Sequence, residues 1–321
     1  MTNAITSKPL DTAFLADVVE GLTGSPKTLP CKYFYDERGS ALFDEITELE
    51  AYYPTRTETA IMEHHIAAMA AAVGPRAALV EYGSGSSQKT RMLLGALPNL
   101  AAYVPIDISG DYLQQQATRL RAQFPETLIL PVAADFTTTF DLPALPPDTK
   151  RRVVYFPGST IGNFAPDAAE RLLRRMADIA GPGGGLLIGV DLVKDRDVLV
   201  RAYDDPQGVT AAFNKNLLAR INQEAGGTFN LDAFEHEARW NDTDARIEMH
   251  LVSPVAQTVH VGDTAFGFAA GESIHTENSH KYTLDGFSKL AGRAGWTRRH
   301  IWTDAADWFS VQYFEAAPPR N

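Results

Sequence analysis

The sequence contains very little cysteine: Cys31 is the one cysteine in 321 residues. A single cysteine cannot close a disulfide within the chain, and it excludes the cysteine-rich class of metal site. Eight histidines are present, but none stands at a metal-ligand spacing such as His-x-x-x-His beside a carboxylate. We therefore expect no metal, and the scarcity of cysteine favours a reducing cytoplasm.

Positive charge and long apolar runs are also scarce. The 29 Lys and Arg residues are outnumbered by 40 Asp and Glu residues, which gives a formal net charge of −11. Such a chain repels the phosphate backbone of nucleic acids. No apolar run reaches the roughly 18 residues of a membrane span, and residues 1–19 lack the basic region and long apolar run of a signal peptide. We expect a cytoplasmic monomer that binds neither nucleic acid nor a membrane.

The sequence does contain a regular alternation of short apolar runs with helical patterns. Strands that alternate with helices predict a parallel sheet covered on both faces. Two later runs, "TRRHIWT" and "WFSVQYFEA", predict a terminal hairpin. The expected fold class is α/β, a Rossmann-like sheet of seven strands with the last one antiparallel. The five runs before the hairpin are "AALVEY" (77–82), "AYVPID" (102–107), "LILPVAAD" (128–135), "RVVYFPG" (152–158) and "GLLIGVDL" (185–192).

Two segments depart from this alternation and predict a second domain of the α+β class. Residues 1–60 are rich in aromatics, and residues 195–285 combine a helical part with an alternating part typical of antiparallel strands. An insertion of about 90 residues is too long for a loop. We assign 61–194 plus 286–321 to the sheet domain, and 1–60 plus 195–285 to the second domain.

A glycine-rich turn follows the first predicted strand, in "EYGSGSSQK". Gly83 and Gly85 allow a ligand to approach the backbone closely, at the sheet edge where doubly wound folds bind ligands. A dinucleotide fingerprint requires a third glycine, but the sequence has Gln88 at that position. An acidic residue two before the first glycine, followed by Gly-x-Gly-x-Ser, is typical of S-adenosylmethionine (SAM) binding. The alternative is a plain turn from strand to helix.

Polar residues also end the second and third predicted strands. A carboxylate at Asp107 can accept the ribose hydroxyls of an adenosine, although it could instead cap the next helix. Asp135 can accept from an adenine amine while Phe136 covers the ring; the alternative is a capping Asp and a core Phe. The coincidence at successive strand ends favours a nucleoside site.

The fourth predicted strand ends in "YFPGSTIGNF", residues 155–164. In a SAM-dependent enzyme this position faces the methyl group, and Asn163 could orient an amine. The alternative is a glycine-bracketed turn in which Asn163 adopts a left-handed conformation.

Over nearly its full length the chain resembles the histidine-specific SAM-dependent methyltransferases, the histidine Nα-methyltransferases of ergothioneine biosynthesis. The matching segments include both irregular regions. They are "KYFYDERGSALFDEIT", "YYPTRTE", "EYGSGSSQKTR", "GSTIGNF", "GVDLVKD", "RAYDDPQGVTAAFNKN", "FEHEARWNDTDARIEMHL" and "TENSHKY".

The resemblance implies a class I methyltransferase fold, SAM as co-substrate and free L-histidine as substrate, held between the two domains. It implies catalytic roles for Tyr52 and Asn163. The implied cofactor residues are Gly83, Lys89, Asp107, Asp135 and Phe136, to which the turn pattern adds Gly85. The implied substrate residues are Tyr35, Tyr52, Asn163, Tyr203, Met249, Glu277 and Ser279.

Two other functions stay open at this point. Another aromatic amino acid or small amine could be the substrate of the same kind of enzyme. A non-catalytic binder or a dehydrogenase could use a similar sheet, although the glutamine at position 88 argues against the dehydrogenase. Without the resemblance, the tyrosines and Met249 would be taken as packing residues, and "TENSH" as a solvated strand edge.

Overall fold

The computed structural model describes residues 12–83 and 88–317. The helices are α1 (Thr12–Thr23), α2 (Glu37–Glu48), α3 (Tyr53–Val73), α4 (Gln88–Ala96), α5 (Gly110–Gln123), α6 (Pro166–Ala180), α7 (Arg196–Tyr203), α8 (Val209–Glu224) and α9 (Leu284–Arg293). The strands are β1 (Lys27–Thr28), β2 (Ala77–Tyr82), β3 (Ala102–Asp107), β4 (Val132–Ala133), β5 (Arg151–Phe156), β6 (Gly185–Asp191), β7 (Glu235–Asn241), β8 (Arg246–Val252), β9 (Gln257–Val261), β10 (Thr264–Phe268), β11 (Ser273–His280), β12 (Trp296–Thr303) and β13 (Phe309–Ala316).

The chain divides into two units, with boundaries after Tyr53, Val193 and Ser279. We call the part with Pro54–Val193 and the residues from His280 onward the seven-stranded unit. The part with the residues up to Tyr53 and with Lys194–Ser279 is the four-stranded unit. These boundaries lie within about seven residues of those expected from the sequence; which ligand each unit holds stays a prediction.

The seven-stranded unit has the sheet order β12-β13-β6-β5-β2-β3-β4. Its strands β2, β3, β4, β5 and β6 are parallel, and β13 is antiparallel to both of its neighbours. The expected Rossmann-like sheet with a final antiparallel strand is thereby confirmed. The third run is the least regular, since only Val132–Ala133 forms a strand there.

The central strands are mostly apolar because helices cover both faces of the sheet. Every residue of β2 and β6 is buried. Helix α6 shows the matching pattern: Pro166 begins it, and its buried residues recur at helical spacing on one side. Those buried residues are Ala169, Leu172, Leu173, Met176 and Ala180.

The four-stranded unit has the sheet order β1-β11-β8-β7, with a separate ribbon of β9 and β10. The pairing of β7 with β8 is antiparallel, and β1 runs parallel to β11. This confirms the alternating part of the insertion as antiparallel strands. Within the described ranges, no helix has the length and apolarity that crossing a membrane requires.

Candidate functional site

Gly83 lies directly after β2, in a backbone conformation that favours glycine. Its φ is +69°, and its N–H donates to the Ile106 carbonyl at 3.0 Å. A Cβ at this position would lie 3.6 Å from the Phe136 ring. The structure thus brings two predicted cofactor residues together from different strand ends, while Gly85 lies outside the described residues.

Asp107 ends β3 as expected. Its carboxylate accepts from the Ser109 N–H at 2.8 Å, and helix α5 begins only at Gly110, with Ser109 as its cap residue. Asp107 is therefore not the cap of that helix. Burial raises the pKa of this carboxyl, although the backbone N–H groups of Ser109 and Ile108 oppose the rise.

Asp135 follows the short strand β4, and no helix lies between β4 and β5 in the described chain. Its carboxylate accepts from the N–H of Thr137 at 2.8 Å and from the Thr137 hydroxyl at 2.5 Å. The alternative of a helix-capping Asp is therefore wrong. The Phe136 ring lies 5.5 Å from Tyr82 and 5.8 Å from Phe156.

Lys89, on the first turn of α4, is buried and forms an ion pair with Glu58 of α3. It is not the solvated helix residue that spacing alone would suggest. Glu58 itself is 1% exposed and also accepts from the Gly158 N–H at 2.9 Å. The sequence did not single out Glu58, although it closes the segment "YYPTRTE".

Glu81, the acidic residue of the glycine motif, points into the interior of the seven-stranded unit. It accepts from the hydroxyls of Thr90 at 2.8 Å and Tyr103 at 2.5 Å. Burial raises its pKa to about 7, against the effect of those hydrogen bonds. Glu81 thereby connects the start of α4 to β3.

Asn163 ends a 3-10 turn, Thr160–Asn163, after β5. The left-handed residues of this segment are Gly158, with φ +77°, and Ser159, with φ +56°, so the alternative in which Asn163 adopts a left-handed conformation is wrong. The carbonyl of Gly162 accepts from the His280 ring at 2.8 Å. A buried histidine thus fixes the turn that presents Asn163.

In the four-stranded unit, aromatic rings from five segments form one cluster, which we call the aromatic cluster. Phe43 connects most of it: its ring centroid lies 5.6 Å from Tyr35, 6.2 Å from Tyr52 and 6.0 Å from Phe213. Tyr52 and Tyr203 are 6.0 Å apart. Phe213 on α8 is a member that the sequence did not indicate.

Polar groups of the same unit lie close to this cluster. The Tyr203 hydroxyl and Ser279 Oγ are 2.7 Å apart. Desolvation raises the pKa of Tyr35 well above its usual range, and the nearby Glu277 carboxylate raises it further. The same two causes raise the pKa of Cys31 to about 12. Tyr203 is thus in contact with Ser279, and Glu277 lies near enough to Tyr35 to affect its pKa, while the roles of these residues in binding stay predictions.

Met249 is 2% exposed. It lies on β8, where its carbonyl accepts from the Thr276 hydroxyl at 3.1 Å. The described contacts place it in the sheet core, so its predicted place in the ring pocket stays untested.

One group of described side chains has the composition of a metal site: Glu248, His250 and His275, whose candidate ligand atoms lie within 4.8 Å of one another. The two imidazoles stack with centroids 4.9 Å apart. Burial lowers the pKa of His250 to about 4. Although burial opposes it, hydrogen bonds from Asn241, Arg246 and His250 lower the pKa of Glu248 to about 2. Sequence spacing missed this group because its members come from two strands.

Comparison with known proteins gives a consistent result. A family model described as "Histidine-specific methyltransferase, SAM-dependent" matches residues 14–316. A histidine N-alpha-methyltransferase of Mycolicibacterium smegmatis is 44% identical over 97% of both chains, and one of Mycobacterium tuberculosis is 45% identical over 93% of this chain and 94% of its own. The ergothioneine biosynthesis protein 1 of Neurospora crassa is 31% identical over 87% of this chain, which corresponds to 32% of that longer protein.

Proposed function

The chain belongs to the histidine-specific, SAM-dependent methyltransferase family, and from this we propose that it transfers three methyl groups in succession to the α-amino nitrogen of free L-histidine. The product is Nα,Nα,Nα-trimethylhistidine, or hercynine, and the reaction is the first step of ergothioneine biosynthesis. Near-full-length similarity to two histidine N-alpha-methyltransferases supports the reaction, and similarity to an ergothioneine biosynthesis protein supports the pathway.

For SAM, we assign the binding residues to the seven-stranded unit. Gly83 and Gly85 let the methionine part approach the backbone, and Lys89 meets its carboxylate. Asp107 accepts from the ribose hydroxyls, while Asp135 and Phe136 hold the adenine. The φ of +69° at Gly83, which favours glycine, and the position of this residue beside the Phe136 ring support this fit.

For histidine, we assign the imidazole to Glu277 and Ser279. A neutral imidazole offers one N–H and one lone pair, so a carboxylate and a hydroxyl together match both ring nitrogens. Tyr203 and Tyr35 donate to the substrate carboxylate, Met249 lines the ring pocket, and Asn163 and Tyr52 orient the amine. The observation that carries the choice of histidine is the identity of 44% and 45% to two histidine N-alpha-methyltransferases over nearly the full chain.

The reaction is an in-line displacement. The amine lone pair forms the N–C bond while the C–S bond of SAM breaks, and the electrons leave with a neutral thioether. A neutral leaving group needs no proton donor, so positioning supplies most of the acceleration, at effective molarities up to roughly 10⁵–10⁸ M. An α-amino group has a pKa of about 8 in peptides, and we infer that the deprotonated form is selected from solution. Proton relay through Tyr52 is the alternative.

The trimethylammonium product carries a permanent charge, and aromatic faces attract such cations by about 0.5–2 kcal/mol. Phe43 and Tyr52 of the aromatic cluster are in edge contact at 6.2 Å and serve this role in our proposal. Tyr52→Ala and Phe43→Ala should each accumulate mono- and dimethylhistidine. Full trimethylation by both variants would contradict the role.

The decisive experiment is mass spectrometry of histidine incubated with SAM and the protein. Species with one, two and three added methyl groups are expected in succession. Tryptophan, tyrosine and histamine serve as competing substrates, and an equal rate on tryptophan would contradict the choice of histidine. Cytoplasmic location and a monomeric state also stay proposals, which fractionation and sedimentation can test.

A further inference from the structure

Glu58 is a buried carboxylate that the proposed reaction does not use. It lies on α3, and its side chain is 1% exposed while that of its partner Lys89 is 8% exposed. Removing a carboxylate from water costs several kcal/mol unless the charge is paired and hydrogen-bonded. Apolar residues of similar size are often at least as stable as a buried ion pair. The presence of this pair therefore indicates a specific task for the carboxylate.

The contacts of Glu58 join three parts of the seven-stranded unit. Its carboxylate pairs with the Lys89 ammonium on α4. Both of its oxygens lie within hydrogen-bonding distance of the Gly158 N–H, at 2.9 Å and 3.1 Å. Gly158 begins the segment that leads into the Thr160–Asn163 turn. One carboxylate thus fixes both a predicted cofactor lysine and the start of the turn that carries Asn163.

The strand β6 leaves room for this carboxylate. A Cβ at Gly189 would lie 2.1 Å from Glu58 Oε1 and 3.0 Å from its Cδ. No side chain larger than glycine fits there without displacing Glu58. The space for the carboxylate is therefore built into the sheet, and the ion pair is not a chance approach of two long side chains.

A lysine ammonium has three N–H donors. Among the described residues, the ammonium of Lys89 donates a hydrogen bond to the Glu58 carboxylate. The remaining donors suit an anionic group. A free lysine side chain loses about 2 kcal/mol of rotamer entropy when a ligand orders it. A lysine already ordered by Glu58 avoids that loss.

We propose that Glu58 is a positioning residue for the cofactor: it holds the Lys89 ammonium in place to receive the α-carboxylate of SAM. This inference rests on the proposed function, in which Lys89 meets that carboxylate. Glu58 acts through Lys89 and touches neither substrate nor the reacting atoms. Lys89 then bridges two carboxylates, one from the protein and one from the cofactor.

The test compares two ligands that differ only in the amino-acid part. S-adenosylhomocysteine has the α-carboxylate, whereas 5′-methylthioadenosine keeps the nucleoside and the sulfur but lacks it. Glu58→Gln keeps an acceptor for the Gly158 N–H and removes the charge beside Lys89. In calorimetry, Glu58→Gln should weaken the binding of S-adenosylhomocysteine about tenfold. The affinity for 5′-methylthioadenosine should stay unchanged. Glu170→Gln, which breaks exposed ion pairs on α6, should change neither.

The double variant separates positioning from general damage. Lys89→Met should show the same selective loss, and Glu58→Gln with Lys89→Met should lose no more than Lys89→Met alone, because both changes act on one contact. Equal weakening of both ligands by Glu58→Gln, or additive losses in the double variant, would overturn the proposal. If Glu58→Gln does not fold, Glu58→Asp is measured with the same two ligands. This variant keeps the charge on a shorter side chain, and it should also weaken the binding of S-adenosylhomocysteine while the binding of 5′-methylthioadenosine stays unchanged.

The outcome also distinguishes this inference from the proposed function. A wild-type protein that binds neither SAM nor S-adenosylhomocysteine would overturn the proposed function. If the wild-type protein binds both ligands and the Glu58→Gln variant binds each with the same affinity as the wild type, only the role of Glu58 is overturned. In steady-state assays the expected signature is a raised KM for SAM with kcat nearly unchanged.

Discussion

In the seven-stranded unit the candidate cofactor residues follow the ends of successive strands, whereas in the four-stranded unit the candidate substrate residues come from separate segments of the chain. Asp107 ends β3, and Asp135 follows β4. Tyr35, Phe43, Tyr203 and Ser279 meet only through folding. Parallel strands bring their carboxyl ends to one edge by topology alone, but the aromatic cluster depends on tertiary packing.

The largest effect is expected from Glu277→Gln. The change removes the charge that we assign to the imidazole N–H, at a cost of about 1–3 kcal/mol, or roughly fivefold to 150-fold in kcat/KM for histidine. Binding of S-adenosylhomocysteine should not change, because we assign it to the other unit. The two quantities are measured by steady-state kinetics and by calorimetry.

The matched control for this change is Glu235→Gln, an exposed glutamate of β7 in the same unit. It should leave both quantities unaltered. A Glu277→Gln variant with wild-type kcat/KM for histidine would show that Glu277 does not bind the substrate. The assignment of histidine to the four-stranded unit would then depend on the aromatic cluster alone.

The two units also differ in how much of each can be predicted from the sequence, because strand ends are local and the aromatic cluster is not. The seven strands and the positions of Gly83, Asp107 and Asp135 follow from short apolar runs and the residues at their ends, which are local patterns. The grouping of Tyr35 with Glu277 rested on family resemblance, since nothing local relates residues so far apart. Phe213 and Glu58 were missed because an aromatic or an acid on a helix has no distinctive spacing.

The next effect concerns Glu81 and depends on pH. Burial raises its pKa to about 7, whereas an unfolded glutamate titrates at about 4.3. Between these values the folded protein keeps a proton that the unfolded chain has lost, so the stability contributed by this group falls as pH rises. Glu81→Gln cannot ionise and still accepts from Thr90 and Tyr103.

We therefore expect Glu81→Gln to gain stability relative to the wild type as pH rises from about 4.5 to 7, by roughly 3 kcal/mol in all. Denaturant unfolding at several pH values measures this difference, with Glu63→Gln, an exposed residue of α3, as control. A difference that is constant over that range would show that Glu81 is charged throughout, and that the interior of the seven-stranded unit is more polar than its contacts suggest.

A smaller effect is expected from Phe136→Leu. The leucine keeps an apolar side chain next to Gly83 but removes the aromatic face assigned to adenine, at a cost of about 0.5–1.5 kcal/mol. Calorimetry should show weaker binding of S-adenosylhomocysteine by roughly threefold to tenfold. Phe140→Leu is the matched control, since Phe140 also contacts Tyr82, at 5.8 Å, and has no assigned ligand. Equal losses in both variants would assign the effect to packing around Tyr82.

The last prediction is that removal of metal ions leaves the rate of histidine methylation unchanged. In the group of Glu248, His250 and His275, one Glu248 oxygen already accepts from Arg246 at 2.6 Å and from Asn241 at 2.9 Å, and the other lies 3.1 Å from His250 Nε2. A guanidinium this close repels a second cation, and displacement of a neutral thioether requires no Lewis acid. Histidine methylation should therefore proceed at the same rate after dialysis against EDTA as after addition of Zn²⁺. A rate lost to EDTA and restored by Zn²⁺ would show instead that this group binds a metal, and that the four-stranded unit holds more than the substrate.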